Sequence, residues 1–106
     1  MRIILITLAF TGLSATAVLA ADAKAGQAVY NTSCKSCHGA DGAGNPSVAK
    51  MMKVEMKDLK SADVQSLSDA DIKNIVSAGK GKMRPVAAVS GGALDNVVAY
   101  LRSLKN

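Results

Sequence analysis

Five consecutive residues, Cys34-Lys35-Ser36-Cys37-His38, hold both cysteines and the only histidine of the 106-residue chain. Two thiols three positions apart leave the chain about one helical turn from each other, and an imidazole follows at once. Each thiol can add to a vinyl group of a porphyrin, and the adjacent histidine is then delivered to the iron from the same side. This spacing is the attachment pattern of c-type haem.

Other chemistries use the same residue types. A redox dithiol of the thioredoxin kind needs a preceding strand and a βαβ pattern, whereas the residues before Cys34 read as helix. A structural zinc site takes about four protein ligands, and two cysteines with one histidine fall short. A disulfide closing a two-residue loop would constrain little of the unfolded chain. Haem attachment is the reading that uses all three side chains.

The positioning elements begin after a segment of another kind. Residues 1–20 carry one charged side chain, Arg2, then an apolar run that closes on Val18-Leu19-Ala20. That pattern predicts a secretory signal cleaved after Ala20, leaving one small domain at 21–106. The run is marginal for a membrane span, so no stable insertion is expected after cleavage. In an oxidising compartment two free thiols tend to pair, which thioether bonds to haem prevent.

The exported part has Tyr30 and Tyr100 as its only aromatic residues, because Phe10 lies in the signal. So small a chain buries little core by itself, and a large flat prosthetic group would supply the apolar centre it lacks. The formal net charge of +5 falls by one when Arg2 is removed. That balance is too mild to point to nucleic acid, and no basic run with interleaved aromatics occurs.

The pattern predicts an all-α chain. A first helix over 22–35 starts at the N-cap Asp22, with Gly26 and Tyr30 on one face. A glycine inside a helix costs about 1 kcal/mol against alanine, which suggests that another backbone passes close to Gly26. Residues 39–47 read as loop, and 48–60 as a short helical turn whose Met51, Met52 and Met56 fill apolar gaps. A further turn fits 61–67. Ser68-Asp69-Ala70-Asp71 has the form of a capping box and opens a helix over Ile72, Ile75 and Val76 that Gly79 ends. Residues 79–85 form a cationic loop. The last helix, over 90–104, carries the stripe Leu94, Val97, Val98, Leu101 and Leu104, with Arg102 near its end to match the dipole.

Taken in order, these pieces resemble a class I monohaem c-type cytochrome of the bacterial cytochrome c family. The resemblance rests on Cys34 to Gly39, on Gly26 and Tyr30, on Val97 to Leu101, and on Gly79-Lys80-Gly81-Lys82-Met83. It implies a small cytochrome c fold, with N- and C-terminal helices packed across each other and helices wrapped around one covalently bound haem. It implies Cys34 and Cys37 as attachment points and His38 and Met83 as iron ligands. The resemblance also makes Pro46 a candidate for the carbonyl that accepts from the proximal histidine. The family often uses tryptophan or tyrosine at a haem propionate, and this chain has no tryptophan.

The expected function is that of a soluble periplasmic one-electron carrier rather than an enzyme, working as a monomer between a redox donor and acceptor. His/Met ligation favours ferrous iron and raises the reduction potential. Met83 sits on a glycine-rich loop able to pass over a flat ring, while Met51, Met52 and Met56 read as packing. Lys80, Lys82 and Arg84 around Met83 would steer partners with acidic docking surfaces. Two alternatives stand beside the carrier. One is a haem enzyme or gas sensor with an open or displaceable sixth site; the other is a CxxC thiol oxidoreductase.

Overall fold

Gly26 marks the place where the two ends of the chain meet. The computed structural model describes residues 21–104, so the expected export signal at 1–20 lies outside the described residues. Helix α1 (Ala23–Ser33) runs against the last helix, α6 (Gly91–Ser103). A Cβ added at Gly26 would stand 1.8 Å from the backbone oxygen of Asn96. Only a glycine lets the two backbones approach this closely. Asp22 caps α1 by accepting from the amides of Lys24 and Ala25, and its own amide donates to Asn96 Oδ1 at 2.9 Å. One turn further along, Tyr30 meets Tyr100 with ring centroids 5.2 Å apart and planes tilted by 54°. Such an aromatic pair adds about 0.5–1.5 kcal/mol beyond the area it buries.

Between these ends the described chain is helical, with no strand. Helix α2 (Lys35–His38) is a single turn, separated from α1 at Cys34, whose φ of −123° breaks the helix. The expected continuous helix over 22–35 is thus two helices with a cysteine at the joint. Helix α3 (Pro46–Met52) starts earlier than its sequence suggests. Asn45 caps it through the amides of Ser47 and Val48, and Pro46 takes the first helical position, where a missing N–H costs nothing. Asn45-Pro46, expected within the 39–47 loop, is a helix start. The left-handed Lys53, at φ +55°, ends it.

Helix α4 (Ala62–Gln65) is one turn, and α5 (Asp69–Ala78) follows. The expected cap of α5 is present, with Ser68 Oγ accepting from the Asp71 amide at 3.0 Å. Gly79 ends the helix at φ +78°. Ile72 and Val76 of α5 join Val89, Tyr30 and the α6 stripe in one buried cluster.

That core is lopsided. Between Tyr30 and Ile72 no apolar side chain is fully buried. Val48, Met52, Val54, Met56, Leu59, Val64 and Leu67 are all half-buried.

Candidate functional site

The α1–α2 joint presents the three reactive side chains. Cys34 donates its amide to the Tyr30 carbonyl at 2.9 Å, and the His38 amide donates to the Cys34 carbonyl at 3.0 Å. Cys34, Cys37 and His38 are therefore held on one turn, as their spacing demands. Both thiols are free and half-buried. Burial, followed by the neighbouring Cys37, pushes the Cys34 thiol up. A dithiol oxidoreductase works through a lowered thiol pKa, and it is a helix that leads into the motif, so the arrangement argues against that chemistry.

The chain then folds back over this turn. The Gly44 amide donates to the His38 carbonyl at 2.7 Å, and the Asn45 amide to that of Cys37 at 2.9 Å. Tyr30, at 0 % exposure, reaches across from α1 to donate its hydroxyl to the Gly39 carbonyl at 2.5 Å. Burial is the first cause, and nearby Cys34 the second, of a Tyr30 pKa pushed up to about 12. Sequence reasoning placed Tyr30 in the helix crossing only; a Tyr in place of a Phe was the available signal for a second task.

His38 is half-buried, and burial lowers its pKa, so the imidazole is neutral and its lone pair is available to a metal. Its Nδ1 is buried with no hydrogen-bond partner. The expected bond from this nitrogen to the Pro46 carbonyl is not made. Two half-buried thiols, a neutral imidazole with an unpartnered ring nitrogen and a middle third without buried apolar side chains fit a large apolar group held covalently at this turn.

Met83 lies in a tight turn. Lys80 and Met83 exchange two backbone hydrogen bonds of 3.0 Å, with Gly81 at φ +57° in the first central position, where a primed hairpin turn takes glycine. A Cβ on Gly79 would stand 2.6 Å from the Met83 carbonyl oxygen and 3.0 Å from Pro85, so Gly79 lets the loop fold back on the end of α5. The Val86 amide then donates to the Val76 carbonyl at 2.8 Å. Met83 is half-buried, whereas Met51 is 76 % exposed. Met56 packs on Gly44, whose absent Cβ would lie 3.1 Å from its own. Met56 thus covers the segment after His38, and Met52 is the remaining rival of Met83.

A broad open depression lined by Ala21, Asp22 and residues of α5 and α6 contains neither the cysteine turn nor Met83. Lys73 pairs there with Asp95 and Arg102 with Asp69, while Asp22 caps α1, and it is no candidate for the chemistry.

Comparison with known proteins decides the family. The family model described as cytochrome c oxidase, cbb3-type, subunit III matches residues 21–101. The chain belongs to this family. It is a monohaem c-type cytochrome, and its cofactor is one covalently bound haem c with its iron. Cytochrome c-554(547) of Halothiobacillus neapolitanus is 34 % identical over 94 residues, covering 81 % of this chain and all of the relative. Among solved structures, the c-type cytochrome KustC0563 shares the fold with a TM-score of 0.65 at 24 % identity, covering 76 % of this chain and 98 % of that one. No helix of the described part of the cytochrome is long and apolar enough to cross a membrane.

Proposed function

We propose that this cytochrome is an exported one-electron carrier of the periplasm, with Cys34 and Cys37 bonded to the haem and His38 and Met83 as its axial ligands. The observation that carries the reading is the single turn that holds both free thiols beside a neutral His38. Haem c supplies an iron that gains and loses one electron. The chain's own residues do the rest. Tyr30 and Gly44 brace the segment that carries His38, and Gly79 and the Lys80–Met83 turn fix the backbone that carries Met83. Two filled axial positions leave no place for substrate, which suits transfer rather than catalysis. A thioether ligand favours ferrous iron.

The partners are a redox donor and acceptor. Lys80, Lys82 and Arg84 are exposed around Met83, and Lys80 and Arg84 have no ion-pair partner among the described residues. Positive charge there would raise encounter rates with an acidic surface at low salt. Carbon monoxide added to the reduced protein at neutral pH tests the reading. A carrier with a filled sixth position shows no change in its spectrum; a shifted Soret band would mean an open or displaceable site, as in an enzyme or sensor.

A further inference from the structure

Lys82 does something that charge alone does not require. Its Nζ donates to the backbone carbonyl of Met52, 30 positions away in sequence. Met52 is the last residue of α3, and the final carbonyls of a helix have no partner within it. The Lys53 and Val54 amides turn back to Ala49 and Lys50, so they serve the earlier carbonyls and leave that of Met52. An ammonium at a helix C-terminus is also favoured by the dipole. Lys82 therefore caps α3 from outside, and the tight Lys80–Met83 turn makes its backbone continuous with that of Met83.

We propose that Lys82 is a positioning residue, a clasp that fastens the Met83 loop to the end of α3 and so keeps the Met83 sulfur at its place on the iron. The inference rests on Met83 being an axial ligand. The loop has three other anchors, namely the Gly79 fold-back, the turn itself and the Val86–Val76 hydrogen bond, all on the α5 side. Lys82 is the contact that crosses to α3. Without it the loop is tied on one side only and swings more often.

The experiment compares holoprotein carrying Lys82→Ala, Lys82→Arg, Lys80→Ala and Met83→Ala by two readouts. One is imidazole binding to the ferric protein; the other is amide hydrogen exchange at Met83, whose N–H bonds the Lys80 carbonyl. Lys82→Ala should bind imidazole about tenfold more tightly and exchange the Met83 amide about tenfold faster, corresponding to about 1.4 kcal/mol. Lys82→Arg, which keeps a donor, should restore both. Lys80→Ala, which removes equal charge but no such bond, should match the wild type. If Lys82→Ala matches the wild type while Met83→Ala binds imidazole far more tightly, the clasp is overturned. If Met83→Ala leaves imidazole binding unchanged, the ligand assignment has failed instead. Faster exchange in Lys82→Ala then shows that the loop is still clasped, and unchanged exchange removes the clasp as well.

Discussion

Tyr30 shows how one side chain serves two structures at once. Its ring packs against Tyr100 in the helix crossing, and its hydroxyl braces the carbonyl next to His38. Tyr30→Phe keeps the first contact and leaves the Gly39 carbonyl with only the 3.4 Å bond from the Gly42 amide, at a cost of about 1 kcal/mol. The substitution also has a pH signature. Burial, then the charges of Cys34 and Tyr100, raise the phenol from 10.0 to about 12. A thioether at Cys34 removes that residue's share and leaves burial as the largest cause, with Tyr100 and Asp41 behind it. The folded state thus favours the protonated phenol, so its contribution is complete below pH 10 and is lost as pH rises from 10 toward about 12. Urea unfolding at pH 8 and pH 11 should show wild type losing more stability than Tyr30→Phe; equal losses would place the hydroxyl in a wetter setting than the one described.

At the scale of elements, the crossing of α1 and α6 holds the fold closed. Gly26→Ala drives a methyl into the backbone oxygen of Asn96, which cannot turn aside as a side chain would. Overpacking costs about 1–3 kcal/mol, and a rigid backbone obstacle puts this change at the upper end or beyond. Denaturant titration of the holoprotein checks it, and a cost below about 0.5 kcal/mol would mean that the helices separate without penalty. This contact was legible in the sequence, because a glycine inside a helical pattern has few other uses. The α5 caps and the α6 stripe were legible for the same reason: they are local patterns. What was not legible is what crosses between distant segments. Arg102 reads as a dipole partner at the end of α6, yet its guanidinium also bonds the Gln65 and Leu67 carbonyls and the Asp69 carboxylate. Lys82 reads as a loop cation that steers acidic partners, yet it also caps α3. Pro46 reads as part of a loop, and becomes a helix start once Asn45 caps the turn.

At the scale of the molecule, the buried core belongs to α1, α5, α6 and Val89, and the middle third has none of its own. The sequence foreshadowed this in its two tyrosines and its scattered methionines. A chain of this size gains little from its protein core alone, so order in residues 44–67 should depend on the bound haem. The double variant Cys34→Ser/Cys37→Ser, which cannot hold haem by thioethers, should keep hydrogen-exchange protection in α1 and α6 and lose most of it over 44–67. Protection retained throughout would mean that the protein packs without its cofactor.

The proposed ligation stands or falls on which sulfur holds the iron. The measurement that decides it is the weak far-red absorption of a thioether bound to ferric haem, followed through Met51→Ala, Met52→Ala, Met56→Ala and Met83→Ala. Met83→Ala should abolish the band and lower the reduction potential, because the ligand that favours ferrous iron is gone. The other three should keep it: Met51 is exposed, Met56 packs on Gly44, and Met52 ends α3 rather than sitting on the glycine-rich loop. A band that survives Met83→Ala and disappears in Met52→Ala would move the ligand to α3 and contradict the account.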